Sequence, residues 1–249
     1  MLPVIPIGPA ILPTGPITLI LGIWLSLSLV ERSARWLSLD SVTTYSLAST
    51  GIIAGIVGAR LTFVFLHWSA YSSNLIGIIW PINVGFNLWG GIIFGLLGAI
   101  FYGRARQVPV ASTLDALAPG LLVGLLFFSL SDFLAGPGYG ENTTLPWGIS
   151  QFGLRRHPVQ LYEIAISLGA LAVWFWQQRR VDVKPGQPVL SSLAVYSAGI
   201  IIADSFRATA WLTSNGFHIV QIIALLVGLT CLVLLARLSE PAEAQTPPD

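Results

Sequence analysis

Apolar residues in this chain gather into long unbroken runs separated by short polar connections, instead of alternating or following one helix face. Crossing a bilayer takes about 20 predominantly apolar residues. Runs near 16–30, 45–67, 84–103, 113–135, 159–177, 189–211 and 217–237 meet or approach that length and predict seven transmembrane helices. Asp132 interrupts the fourth run, and Asp204 with Arg207 interrupts the sixth. Glycines recur every three or four residues at Gly51, Gly55 and Gly58, at Gly91, Gly95 and Gly98, and at Gly120 and Gly124. Such spacing lets helix backbones approach closely in lipid. Ser112-Thr113-Leu114-Asp115 has the form of a capping box before an apolar run, so the fourth helix is expected to start there.

No polar stretch is long enough to fold alone, so the pattern predicts one transmembrane domain over 1–239 and a short disordered cytoplasmic tail over 240–249, acidic and proline-rich. Residues 1–16 carry five prolines and no Lys or Arg, unlike the charged start of a signal peptide, and are expected to lie at the membrane surface.

Composition agrees with the pattern. Of 249 residues 54% are hydrophobic and 9% charged, and the mean hydropathy is +0.78. Soluble domains are about 25% charged. The fold class predicted is an all-α polytopic membrane bundle. A formal net charge of +1 offers nothing to a nucleic acid. The single Cys231 sits in an apolar run, and His67, His157 and His218 stand at no metal-ligand spacing, so neither a metal nor another cofactor is expected.

Basic residues also set an orientation. Arg32, Arg35, Arg104, Arg106, Arg179, Arg180, Lys184 and Arg237 fall on one side of the predicted spans, and 68–83 carries no charge. Positive charge marks the cytoplasmic side, so the N-terminus is expected outside and the C-terminus inside. Arg155 and Arg156 are the exceptions, on the outer side.

The chemistry concentrates there. Arg156-His157-Pro158-Val159-Gln160-Leu161-Tyr162-Glu163 sets five polar or ionisable side chains at the head of an apolar run. Facing lipid, these groups would be strongly unfavourable, so they are expected to face a polar cavity. Proline holds His157 extended ahead of the helix, and Gln160 and Glu163 share a face three residues apart. Arg60, deep in the second run, needs an anion or a ring of acceptors. Its alternatives are pairing with Glu163 or Asp204, or holding a lipid phosphate. Asp204 and Arg207 can neutralise each other locally, and Gln221 near the start of the last run can join the same cavity or tie two helices together. The segment 136–154 is the longest outer connection, a candidate entrance, and its Asn142-Thr143-Thr144 matches a glycosylation acceptor.

The segment 156–163 closely resembles the signature of the prolipoprotein diacylglyceryl transferases. Gly58-Ala59-Arg60-Leu61, Asp115-Ala116-Leu117-Ala118-Pro119, Trp89-Gly90-Gly91, Asp204-Ser205-Phe206-Arg207 and Gln221 resemble further segments of that family, across nearly the whole chain. The resemblance implies a bacterial plasma-membrane enzyme that moves diacylglyceryl from phosphatidylglycerol to the thiol of a lipobox cysteine in a preprolipoprotein. It also implies roles: His157, Arg156 and Glu163 for catalysis, and Arg60, Arg207, Gln160, Tyr162 and Gln221 for the lipid headgroup.

Departures from the pattern fall on groups of the same kind. Trp89 stands where the family has a histidine before two glycines. Ser129 and Ile200 stand for arginines, Asp132 stands for an asparagine, and an apolar residue near Leu21 stands for an N-terminal tyrosine. The reaction needs an activated thiol and cations on the departing phosphate. These losses predict a chain inactive as it stands, unless new groups have taken over. The alternative is a non-catalytic relative, a lipid-binding scaffold or an assembly subunit of a membrane complex.

Overall fold

The computed structural model describes residues 3–7, 10–72, 76–79 and 85–239; the expected tail lies outside the described residues. The elements run β1 (Val4–Ile7), β2 (Ala10–Pro13), α1 (Thr14–Trp36), α2 (Ser41–Leu66), α3 (Trp68–Tyr71), α4 (Ile76–Ile79), α5 (Leu88–Ala105), α6 (Val110–Ala135), β3 (Ile149–Gln151), β4 (Leu154–Arg156), α7 (Val159–Gln177), α8 (Gln187–Asp204) and α9 (Ile219–Ser239). Among the described residues seven helices, α1, α2, α5, α6, α7, α8 and α9, are long and apolar enough to cross a membrane. The protein is a mostly helical, multi-pass membrane protein, as the runs predicted.

Two boundaries differ from expectation, each for a local reason. α6 starts at Val110, so Ser112–Asp115 lies inside the helix and does not cap it. The Pro109 carbonyl accepts from the Thr113 amide at 2.9 Å, and a proline, with fixed φ and no N–H, suits a helix start. α8 stops at Asp204, short of the predicted 211. Its last turn tightens through bonds from Phe206 N to Ala203 O and from Arg207 N to Asp204 O, both 3.1 Å, and the Ala208 amide then pairs with the Tyr139 carbonyl. Asp204 and Arg207 therefore meet across a helix end. β1 and β2 pair antiparallel, from Val4 opposite Pro13 to Ile7 opposite Ala10.

The chain divides into two compact units, Val30–Leu117 and Met1–Leu29 with Ala118–Asp249. In the 30–117 unit α2 packs on α5 through the glycines read from the sequence. A Cβ on Gly55 would lie 3.1 Å from the Gly91 carbonyl, and one on Gly95 would lie 3.1 Å from the Gly51 carbonyl. Asp40 caps α2 by accepting from the Val42 amide, and Asn87 caps α5 by accepting from the Gly90 amide. Arg60 satisfies itself with the ring of acceptors, donating to the carbonyls of Ile78 at 3.1 Å, Gly85 at 3.0 Å and Gly77 at 2.6 Å, with the Tyr71 ring 5.3 Å away.

In the other unit α7, α8 and α9 pack side by side. Trp174, fully buried, sits with Ala118 and Val189 under Phe175, Leu190 and Leu193. Apolar side chains of each unit, such as Phe101 of α5 and Leu226 and Val233 of α9, remain exposed, as lipid-facing positions require.

Candidate active site

The site is built by two connections, 136–158 between α6 and α7 and 205–218 between α8 and α9. Two spans separate them, so both emerge on one side. Residues 139–142 run between their neighbours like a central strand. Gly140 pairs antiparallel with Arg207, and Asn142 pairs with Arg156. The Glu141 amide donates to Phe206 O at 2.8 Å, and the Glu141 carbonyl accepts from the His157 amide at 2.9 Å. A Cβ at Gly140 would lie 2.3 Å from the His157 carbonyl, so this approach requires glycine. The β3–β4 hairpin, Ile149 opposite Arg156, turns at Phe152 and Gly153, both at positive φ, and presents the signature segment to that strand.

Polar groups follow in a chain. Ser129 Oγ donates to Glu163 Oε2 at 2.9 Å. The Arg207 guanidinium pairs with Glu163 Oε1 through Nη2, with Asp204 Oδ1 through Nε at 3.2 Å and with the Gly138 carbonyl through Nη1 at 3.3 Å. Asp204 Oδ2 meets His218 Nδ1 at 2.8 Å. Gly138, at φ 70, has no room for a side chain: a Cβ there would lie 2.7 Å from Arg207 Nη1 and 3.2 Å from Asp132 Oδ2. The Arg207 and Glu163 side chains are 15% and 13% exposed, and Asp204 is 1% exposed. Glu163 and Asp204 therefore share one guanidinium, and Asp132 lies on the far side of Gly138. Ser129, standing where the family pattern has a cation, supplies a hydrogen bond to Glu163 instead.

Arg156 is engaged differently. Its Nη1 donates to the Gly140 carbonyl at 3.1 Å and its guanidinium lies 4.6 Å from the centre of the Tyr139 ring, but Nε is buried with no partner among the described residues. Arg156 and Arg207 are anchored on carbonyls two residues apart, at Gly140 and Gly138, a backbone separation of at most about 7 Å. His157, 9% exposed, stacks on Phe206 with ring centres 4.6 Å apart, and its Nδ1 lies 3.2 Å from Tyr162 Oη. Trp147 Nε1 donates to that same hydroxyl at 2.9 Å. Gln160 is fully buried; Nε2 donates to the Pro137 carbonyl at 2.9 Å and Oε1 has no partner among the described residues. Arg155 is exposed and ties down its own loop through the Gly148 and Pro146 carbonyls.

Of the predicted site residues, this unit brings together Arg156, His157, Gln160, Tyr162, Glu163 and Arg207. Gln221 ties two helices together, donating to the Ile201 carbonyl at 3.0 Å and to Ser205 Oγ at 2.8 Å at the end of α8. Arg60 belongs to the 30–117 unit, as does Trp89, which is 46% exposed. Ile200 is buried in α8. Sequence reasoning missed three features: the Ser129 bond to Glu163, the His218 contact with Asp204, and Gln151. Gln151 is 2% exposed, and both its amide atoms lack partners among the described residues. Its place seven residues before Pro158, on a short strand, carried no spacing signal.

Fold and site define a multi-pass membrane protein whose guanidinium, imidazole and carboxylate groups converge where two connections meet at one end of the helices. The family described as prolipoprotein diacylglyceryl transferase matches residues 7–237, nearly the entire chain, and the protein belongs to that family. Its relatives include the phosphatidylglycerol–prolipoprotein diacylglyceryl transferases of Tropheryma whipplei (strain TW08/27), 32% identical over 184 residues covering 68% of this chain and 67% of the relative. That of Synechococcus elongatus is 27% identical over 240 residues covering 88% and 83%. That of Wolbachia pipientis is 35% identical over 180 residues covering 66% and 67%.

Proposed function

We propose that this protein transfers the diacylglyceryl group of phosphatidylglycerol to the thiol of a lipobox cysteine, at the outer face of a bacterial plasma membrane. The N-terminus is then outside and the C-terminus cytoplasmic. The relatives' shared activity supports the reaction, and the basic residues at the cytoplasmic ends of the spans support the orientation.

The observation that carries the reading is the buried, unpartnered Nε of Arg156. An unsatisfied buried donor is unfavourable, more so on a charged group. A phosphate accepting from Nε and a terminal nitrogen together would satisfy it in a bidentate pair. In this reading Arg156 is the main headgroup ligand, and Arg207 adds the N–H groups its three bonds leave free. Glu163 holds Arg207 in place, Gln160 Oε1 accepts from a glycerol hydroxyl, and Tyr162 positions His157 beside the headgroup.

The test is expression in a bacterial strain depleted of its own transferase, following thioether-linked lipid on a lipoprotein. The expected result is modification by the unaltered chain and its loss in R156Q. A chain that reaches the membrane intact and modifies nothing overturns the reading in favour of a lipid-binding scaffold or assembly subunit. Reporter fusions at Arg104 and Lys184 are expected on the cytoplasmic side; opposite sides would refute the orientation.

A further inference from the structure

Transfer to a thiol needs a group that removes the proton from sulfur, because the thiolate is the nucleophile. Trp89, where the family pattern has a histidine, cannot accept a proton. Among the described residues His157 has no carboxylate partner: its Nδ1 faces the Tyr162 hydroxyl and its ring lies under Phe206.

His218 is placed differently. It ends a tight hairpin closed by bonds from Thr213 N to Phe217 O and from Ile219 N to Trp211 O, both 2.8 Å, with Leu212 bridged to His218 and Gly216 at φ 81. This fixes its backbone at the head of α9. The ring Nδ1 lies 2.8 Å from Asp204 Oδ2, and Asp204 is 1% exposed. The other oxygen, Oδ1, accepts from Arg207 Nε. A carboxylate held by a guanidinium is an acceptor only, so the shared proton sits on His218 Nδ1, and in the neutral form that tautomer has its lone pair on Nε2. Nε2 has no hydrogen-bond partner among the described residues, and the side chain is 25% exposed. Asp204 therefore fixes the tautomer and ring orientation and stabilises the imidazolium once it forms, the part a buried carboxylate plays behind a catalytic histidine. The groups facing this imidazole are Asp204 directly, then Arg207 and, beyond it, Glu163 and Asp132. From α9, the nearby Gln221 is uncharged.

We propose that His218, oriented by Asp204, is the base that takes the proton from the substrate thiol. The proposal rests on the transferase reading above and assigns it a residue. The S–H proton passes to His218 Nε2 as sulfur forms a bond to the terminal carbon of the diacylated glycerol. The bond from that carbon to the phosphate oxygen breaks, and its electron pair leaves with glycerol phosphate, held by Arg156. The imidazolium then returns its proton to the departing phosphate, so the enzyme ends unchanged. Arg207 binds both Asp204 and Glu163, so the base and the second headgroup cation are set by one network.

The substitution His218→Asn separates support from chemistry, because an asparagine amide can replace the Nδ1–H bond to Asp204 but cannot accept the proton. The full chain is reconstituted in phosphatidylglycerol bilayers with a lipobox peptide carrying cysteine, or selenocysteine, whose selenol is ionised at neutral pH without help. For the cysteine peptide H218N is expected to slow transfer by about 100- to 10,000-fold, the usual contribution of a general base. The selenocysteine peptide is expected to react at close to the unaltered chain's rate, which also shows the variant to be folded. H218Q, run beside it, is expected to behave alike. Unchanged cysteine transfer in H218N, or equal losses with both nucleophiles in both variants, would overturn the assignment. Absence of transfer by the unaltered chain with either peptide would overturn the transferase reading itself, and the base with it.

Discussion

Removing Glu163 exposes the energetic structure of the site. Its two oxygens hold the Arg207 guanidinium and the Ser129 hydroxyl, and both ion-paired side chains are about seven-eighths buried. In E163Q the guanidinium loses one of two carboxylates while remaining out of water. Breaking one side of a buried pair costs about 3–5 kcal/mol, and because Arg207 keeps Asp204 at 3.2 Å the expected loss sits near the lower end, about 3 kcal/mol. S129A removes a single hydrogen bond to a charged acceptor and is expected to cost about 1.5 kcal/mol. Reversible unfolding in mixed detergent micelles, followed by tryptophan fluorescence, reads these differences. The decisive comparison is the cycle of E163Q, R207Q and the double variant. With the stranded charge removed, the double variant is expected to be about 1–3 kcal/mol more stable than the sum of the single losses predicts. Strict additivity, or an E163Q loss below about 0.5 kcal/mol, the scale of ordinary surface substitutions, would refute the buried-pair account.

Other outcomes follow from the same geometry. G95L sets a side chain against the Gly51 carbonyl, 3.1 Å from an ideal Cβ, and is expected to lose about 1–3 kcal/mol in that unfolding assay; an unchanged value would dismiss the close α2–α5 approach. R60K is expected to increase proteolysis between α2 and α5 nearly as much as R60Q, because an ammonium cannot reproduce the guanidinium fork on the Gly77, Ile78 and Gly85 carbonyls. Protection equal to the unaltered chain in R60K would contradict this. Asp40 accepts from the Thr43 hydroxyl and the Val42 amide, which hold its carboxyl below the usual carboxylate range. The capping contribution is therefore full above the unfolded carboxyl's value and fades as pH falls through the lowered folded value. Amide exchange at Val42 and Thr43, corrected for intrinsic pH dependence, is expected to stay slow at neutral pH and speed up in acid. D40A is expected to be fast at both, and a D40A profile matching the unaltered chain would remove the cap.

The spans were legible because a bilayer demands runs of apolar residues whatever the packing, and the glycine spacing marked α2 and α5 as helices able to approach closely without naming their partners. The ends were less legible. Ser112–Asp115 has the residue types of a cap, but Pro109 three residues earlier had already opened the helix. The apolar run through 211 hid the end of α8, which is set by the Ala208 bond to Tyr139, sixty-nine residues away along the chain. The same distance limited the site. Arg156, His157, Tyr162 and Glu163 fall within eight consecutive residues and were visible as a group. His218 read as an isolated histidine because its partner Asp204 lies fourteen residues away beyond a hairpin. Ser129 read as the loss of a cation, whereas its hydroxyl engages Glu163 on another helix. Gln151 gave no signal, since burial of a polar side chain in a three-residue strand is settled by what packs over it.

Whether the groups around Arg156 perform diacylglyceryl transfer is decided with the purified chain. In bilayers of phosphatidylglycerol labelled in the headgroup phosphate, a lipobox cysteine peptide is added, and released glycerol phosphate and thioether-linked peptide are measured together. Both are expected in equal amounts, neither is expected with a Cys→Ser peptide, and R156Q is expected to abolish both. Headgroup binding without release of glycerol phosphate, from a folded chain, would contradict it.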